Sequence, residues 1–429
     1  MTLPLFFIVG GLAVLLAGGI WVGISLLSLG LLSLELFRDL KLHSFLAGDI
    51  WSSGTAQELV TLPMFVLMGE ILFHTRISQN LFSGLAPFVR RLPGALLHVN
   101  VLGCTLFAAV SGSSAATTTT VGRITLRELD RRGYDKRLAM GSLAGAGTIG
   151  FLIPPSIPLI VYGVLADVSI LQLFIAGIVP GLLLGLLFMG WIGVRSSLSS
   201  NIVPKDPPTT LQEKWRALRK LLPITLLILL IVVSMYGGYA SITEAAAVGV
   251  LGALLLAIWD GGFSLKMLWG SLLGTVKTCS MIGLIIVGAL FLSKAMARLA
   301  IPSDVASAIA ALELEPWMFL VLLTLFYLLL GCVMDGLSTI VMTLPVTLPL
   351  VINAGFDPLW FGIYLVITIE MAQITPPIGF NLFVIRSLTG ETTGRIALAS
   401  APFCALMLVA VLAVSLFPAL VTWLPGQMN

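Results

Sequence analysis

Charge is scarce in this chain. Of 429 residues only 10% are Asp, Glu, Lys or Arg, against 58% hydrophobic, and the mean hydropathy is +1.08. A water-soluble globule cannot hide so much apolar surface, so that class is excluded and a polytopic membrane protein remains. Lys and Arg are absent from Leu138 to Val194 and again from Leu299 to Ile385. Cysteine is equally sparse. Cys104, Cys279, Cys332 and Cys404 stand far apart in apolar segments, with no CxxC and no nearby His pair, so they read as packing residues. His43, His74 and His98 are scattered and read as interfacial. There is no GxxxxGK[ST] loop, no HExxH and no nucleophile beside a base, which argues against ATP-driven pumping, against proteolysis and against enzymes generally. The net charge of +3 is too small to suggest a nucleic-acid partner. With no basic n-region and no A-x-A site near the start, a cleaved signal peptide is not expected, and the first apolar segment reads as a retained span.

The basic residues that are present crowd two loops. Arg123, Arg127, Arg131, Arg132, Lys136 and Arg137 form one, and the stretch from Arg195 to Lys220 holds six more. Both are placed in the cytoplasm, as is the polar run with Arg76, Arg90 and Arg91. Leu3 to Phe37, interrupted at AGGIWVG, reads as two spans, followed by a third at Leu59 to Phe73. Val99 to Val110 is too short to cross a core of about 30 Å and returns through ATTTTVG to the same side, which predicts a re-entrant hairpin with its tip at Ser111 to Ala115. Leu138 to Val164 is a helix broken at Pro154 and Pro155, and Leu171 to Val194 crosses back. Trp215, Arg216, Arg219 and Lys220 suit an interfacial helix.

The second half repeats this order, with spans at Leu222 to Tyr239, Thr243 to Trp259 and about Leu272 to Leu292. Trp317 to Ile352 then forms a hairpin around MDGLST, Trp360 to Ile385 is broken at QITPPIGFN, and a last span runs from Leu398 to Leu420. Gly112 and Gly336 lie 224 residues apart, and Pro154 and Pro376 lie 222 apart. Duplicated halves with five crossings and one re-entrant hairpin each must sit in opposite orientations, giving an all-α inverted repeat of the kind secondary transporters use. Both termini then fall outside, the second hairpin enters among acidic Glu313, Glu315 and Asp357, and Arg38, Lys41, Lys294 and Arg298 mildly violate the charge bias. The predicted divisions are 1–93 and 222–312 as scaffold arms, 94–194 and 313–429 as transport elements, and 195–221 as an amphipathic linker.

Two tips and two breaks are expected to converge near the midplane. Hydroxyls of Ser111, Ser113 and Ser114 with carbonyls around Gly147 and Thr148 are hard oxygen donors suited to an alkali cation. In the second half Asp335, Ser338, Thr339 and carbonyls near Thr375 take that part. The restarting half-helices, near Pro155 and Pro377, present amides suited to a carboxylate. Asp335 is the leading individual candidate, because an acid inside a span is costly without a partner. Glu244 and Glu370 also lie in apolar sequence, the first able to cap a turn and the second able to pair elsewhere. Asn381 either faces the cavity or bonds a neighbouring helix, and Thr117 to Thr120 read mainly as packing.

The segments SGSSAATTTTVG, AGAGTIGFLIPPSIPLIVYG, ITEAAAVG, MDGLSTI and ITPPIGFNLFVI together resemble the large permease subunit of tripartite ATP-independent periplasmic (TRAP) transporters, over essentially the whole chain. The resemblance implies a Na⁺-coupled importer of the ion transporter superfamily, built as a scaffold and a moving elevator domain in a bacterial inner membrane. It implies as partners a small four-helix membrane subunit, a periplasmic solute-binding protein and an organic acid, either a C4-dicarboxylate or a sialic-acid-like sugar acid. Carried over by position, one sodium site falls on Ser111, Gly112, Ser113 and Ser114 with Gly147 and Thr148. The other falls on Met334, Asp335 and Gly336 with Thr375 and Pro376. The substrate would lie between the tips, against Ser113, Ser114, Pro154, Pro155, Ser156, Ser338, Thr339, Pro377, Gly379 and Asn381. With no four-helix block before Leu3, the small subunit is expected as a separate chain. Glu370 and Gln373 depart from the familiar pattern before ITPP and leave the second site's ligands open. The alternatives are a stand-alone sodium/anion symporter of the same superfamily, needing no binding protein, and, from another class, a membrane scaffold protein.

Overall fold

A chain solvated by lipid has no water to satisfy its amides, so each apolar stretch closes its hydrogen bonds within a helix. The computed structural model describes residues 2–38, 47–48, 51, 55, 57–75, 77–198, 204, 209–310 and 315–427, and among these there is no strand. Lys41, His43, Arg76, Lys205 and Glu313 lie outside the described residues.

The first half runs α1 (Thr2–Ala17), α2 (Val22–Phe37), α3 (Thr61–Phe73), α4 (Ile77–Val89), the hairpin α5 (His98–Ser111) and α6 (Ser114–Arg131), the interrupted pair α7 (Lys136–Thr148) and α8 (Ile157–Ala166), and α9 (Ile170–Leu198). The second half runs α10 (Leu211–Tyr236), α11 (Ile242–Trp259), α12 (Leu265–Arg298), α13 (Ile301–Ala310), the hairpin α14 (Pro316–Gly331) and α15 (Gly336–Asn353), the interrupted pair α16 (Pro358–Gln373) and α17 (Phe380–Thr389), α18 (Thr393–Leu416) and a short α19 (Ala419–Gly426). The duplication is visible in the element bounds. Both α8 and α17 have ten residues and begin 223 positions apart, at Ile157 and Phe380, while α6 and α15 begin 222 apart, at Ser114 and Gly336.

Among the described residues six helices, α9, α10, α11, α12, α15 and α18, are long and apolar enough to cross a membrane. The elements that lead to the tips and breaks are mostly shorter. Helix α5, with 14 residues, spans about 21 Å at 1.5 Å per residue, well below the core thickness.

Two helices run further than hydropathy alone predicts. The basic residues expected on a separate interfacial helix, Trp215, Arg216, Arg219 and Lys220, form the opening turns of α10, which continues through Pro223 to Tyr236. A capping box starts it, with Thr210 and Glu213 bonding each other's backbone amides. The span expected at Leu272 to Leu292 is the centre of α12, whose 34 residues extend beyond it to take in Lys266, Lys294 and Arg298. Long basic side chains keep their heads in polar surroundings while their stems follow the helix, so charge ends a hydropathy window before it ends a helix.

Helices α2 and α12 pack along one another, α3 packs against α12, and α11 packs against α3. A Cβ on Gly23 would lie 2.8 Å from the Leu284 backbone, and one on Gly288 would lie 2.6 Å from the Gly23 carbonyl oxygen, so glycine permits this close crossing. The deepest elements are the two half-helices that run into the breaks. Every residue of α7 from Leu138 onward, and every residue of α16 from Trp360 onward, is buried. In α7 this closeness requires small residues: a side chain on Gly141 would overlap the Ala399 carbonyl oxygen of α18, and one on Gly147 would overlap the Thr118 hydroxyl.

Candidate functional site

Helix α5 stops because Gly112 takes a left-handed conformation (φ +57°), and α6 restarts because Ser113, in extended conformation, caps it, accepting from the Ala116 amide at 3.4 Å. Ser111 Oγ lies 2.8 Å from Thr117 Oγ1, which ties the two arms together. The tip rests against its own half's break. A Cβ on Gly112 would come 3.0 Å from the Pro155 carbonyl oxygen and 3.2 Å from the Ile157 amide nitrogen. Helix α7 passes through a single 3-10 turn, Ile149–Phe151, into the Pro154-Pro155 dipeptide, whose peptide bond is cis. Ser156 then bridges the interruption, donating to the Phe151 carbonyl at 2.5 Å and accepting from the Leu159 amide at 3.4 Å. Pro154, Pro155 and Ser156 are all buried.

In the second half Asp335 caps α15, accepting from the Ser338 amide at 3.0 Å, and Thr339 Oγ1 donates to the Asp335 carbonyl at 2.9 Å. Helix α16 ends at Gln373, whose Nε2 donates to the carbonyls of Gly331 (3.1 Å) and Met334 (3.0 Å). The Gly379 amide donates to the Cys332 carbonyl at 3.0 Å, and Cys332 Sγ to the Pro376 carbonyl at 3.5 Å. Gly379 has φ +53°, and a Cβ there would lie 2.9 Å from the carbonyl oxygens of Gln373 and Thr375. Thr375 Oγ1 donates back to Met371 at 2.7 Å. The Pro376-Pro377 bond is cis, and both prolines are exposed in the isolated chain.

One hydroxyl at the first tip ties both halves together. Ser114 Oγ lies 3.1 Å from the Gly147 carbonyl and 2.9 Å from Glu370 Oε2, and it accepts from Asn381 Nδ2 at 2.7 Å. Its single hydrogen serves one of the two acceptors at a time. Glu370 is fully buried, no basic side chain among the described residues pairs with it, and its Oε1 has no partner among them.

A cavity of roughly 690 Å³ opens beside this junction. Of the sequence-predicted residues it brings together Ser111, Gly112, Ser113, Ser114, Asp335, Gly336, Ser338 and Asn381 on its wall. Gly147, Thr148, Pro154, Pro155, Ser156, Thr339, Met334, Thr375, Pro376, Pro377 and Gly379 are not on that wall. Thr148 turns away from it: its hydroxyl donates to Gly145 at 2.6 Å and lies 3.5 Å from Met407 Sδ. The charged residues of the wall are Glu70, Asp335 and Glu370, with no Lys, Arg or His among them. Glu70, on α3, escaped the sequence reading. Its signal was available, since it is the single charged residue of a thirteen-residue apolar helix. Gly274 of α12 leaves it room: a Cβ there would sit 2.8 Å from the Glu70 carboxyl. Glu244 lies away from the cavity and caps α11 in a box with Ser241. Among the described residues no group of three His, Cys, Asp or Glu side chains is placed to hold a metal ion, so what the wall offers is hydroxyl, carbonyl and carboxylate oxygen.

Residues 9–420 match the family described as the tripartite ATP-independent periplasmic transporter, DctM component. The chain belongs to this family. Such large permeases work with a small membrane subunit and a periplasmic binding protein. The chain is 34% identical over 401 residues to the C4-dicarboxylate TRAP transporter large permease protein DctM of Pseudomonas aeruginosa, covering 93% of each. It is 31% identical over 378 residues to the 2,3-diketo-L-gulonate TRAP transporter large permease protein YiaN of Escherichia coli, covering 87% of this chain and 88% of that one. In fold it resembles the crystal structure of the Alcanivorax borkumensis YdaH transporter, reported to have an unusual topology, with a TM-score of 0.63 at 16% identity over 93% of this chain and 97% of that one. The DctM-family chain is thus a multi-pass transport permease.

Proposed function

We propose that this permease couples inward movement of Na⁺ to uptake of an organic acid delivered by a periplasmic binding protein, across the inner membrane of a bacterium. The observation that carries this reading is one cavity walled by both hairpin tips and by Glu370 and Asn381 of the second interrupted pair. An oxygen-rich wall with three carboxylates and no base favours cations and repels a lone anion. Cations bound at the tips offset that charge, so an anionic substrate enters with its coupling ions. A monovalent cation moving down 100 mV contributes about 2.3 kcal/mol.

The hydroxyls of Ser111, Ser113, Ser114 and Ser338, with backbone carbonyls of the tips, would hold Na⁺. The amides that restart α8 and α17 would orient a carboxylate. Hairpins and interrupted helices would travel together as the elevator, against a scaffold containing α2, α3, α11 and α12, with both termini periplasmic. The substrate class of the relatives, C4-dicarboxylate or sugar-derived acid, is the class proposed for this chain, and a sialic-acid-like sugar acid belongs to the same set.

The test is uptake into vesicles holding the permease and its small membrane subunit, with a panel of labelled organic acids. Accumulation that needs both an inward sodium gradient and the binding protein is expected. Uptake without the binding protein would point to a stand-alone symporter, and uptake indifferent to sodium would remove the coupling.

A further inference from the structure

The positions matched by the duplication differ in chemistry at one place that bears on the cation. Glu370 stands 222 residues after Thr148, the same interval that separates Pro154 from Pro376. The Thr148 hydroxyl bonds back to its own helix, at the Gly145 carbonyl. Glu370 reaches across from the other half and touches the hydroxyl of Ser114.

We propose that Glu370 is the charged ligand of a sodium site shared by the two repeats, with Ser114 Oγ and the Gly147 carbonyl as its other oxygens. The inference deepens the sodium-coupled reading and rests on it. Four observations support it. Glu370 is wholly buried and lines the cavity, yet no basic side chain among the described residues neutralises it. An acid in such a place stays ionised only beside a counter-charge. One of its oxygens, Oε1, is without a partner among the described residues, so a ligand position is open. Thr118 Oγ1, one helical turn beyond Ser114 on the same face of α6, is likewise buried and without a partner, and it lies against Gly147. Finally, Asn381 Nδ2 contacts Ser114 Oγ at 2.7 Å, and a half-turn of that amide would bring its oxygen to the same place. A hard monovalent cation is the species that this set of hydroxyl, carbonyl and carboxylate oxygens suits.

The assignment differs from one residue in one repeat binding one ion. Because the carboxylate and the hydroxyl come from opposite halves, the ion would hold the first hairpin on the second interrupted helix.

The experiment uses the permease purified with its small membrane subunit and follows thermal unfolding against NaCl, with choline chloride and KCl as ionic controls. Wild type should be stabilised by sodium alone. E370Q keeps the shape and removes the charge. It should unfold in choline no earlier than wild type while requiring at least tenfold more sodium for half of the stabilisation. E370D, which keeps the charge on a shorter arm, should fall between them, and it decides the matter if E370Q does not fold. Sodium dependence unchanged in E370Q, or in E370D where that variant must stand in, would make Glu370 a packing and hydrogen-bonding group and overturn the proposal. If wild type itself ignores sodium, the coupling proposed above fails first and this site falls with it.

Discussion

Two junctions in this molecule occupy matched places and are built from different materials. Ser114 at the first tip and Gly336 at the second start helices 222 residues apart, and each meets the interrupted helix of the opposite half. At the first junction a hydroxyl donates to a buried carboxylate, Glu370. At the second a glycine lies under an aromatic ring, where a Cβ would stand 2.8 Å from Phe151 Cε2. The breaks differ in the same sense. Pro154, Pro155 and Ser156 are buried, with Ser156 closing the gap, whereas Pro376 and Pro377 are exposed and their hairpin is held by Gln373. Duplication of the backbone therefore supplies two similar frames, and residue choice decides which is joined across the halves by a buried acid and sealed and which sets a glycine against an aromatic ring and stays open.

The comparison breaks most severely at Ser114. Removing its hydroxyl in S114A leaves both Glu370 and Asn381 short of a partner, at about 1–3 kcal/mol for each buried group left unsatisfied. The expected result is a loss of about 2–6 kcal/mol, seen as a lower unfolding midpoint in detergent, with transport abolished. An S114A protein as stable as wild type would mean the first junction holds nothing. At the matched place G336A forces the Phe151 ring aside, costing about 1–3 kcal/mol by overpacking, and double replacement with F151L should recover part of the midpoint. Q373L removes two hydrogen bonds from the second tip, for about 1–2 kcal/mol. Hydrogen exchange should then rise at residues 332–336 and stay constant at 111–114, and an equal rise in both would dissolve the distinction between the frames. The mildest probe is chemical. In a chain whose four native cysteines are replaced, I378C should react with a water-soluble maleimide and S156C should resist it, since Ile378 is 38% exposed and Ser156 0%.

Both frames were legible in the sequence because their ends are written in residues with few conformational options. Gly112 ends a helix with a positive φ, Ser113 and Asp335 begin new ones as caps, and each double proline lies in the break that follows a helix, α7 ending at Thr148 and α16 at Gln373. Rank among the acids was not legible. Asp335 looked the costlier acid, yet it caps α15 at the cavity wall, where its oxygen has an amide to accept from. Glu370 looked able to pair anywhere, and its actual surroundings depend on Ser114, 256 positions earlier, which no local pattern encodes. Glu70 was overlooked because apolar neighbours on both sides outweigh one carboxylate in a hydropathy window. The extra turns of α10 and α12 were missed for the mirror-image reason, that charge was read as an ending.

The shared hydroxyl also limits how this polypeptide can be recombined. Two copies of the leading half, joined head to tail, would bring a serine to each crossing point and no acid to either. Two copies of the trailing half would bury a pair of acids with no serine facing them. Neither chimera reproduces the junction, so the halves, alike as they are in outline, have ceased to be interchangeable parts.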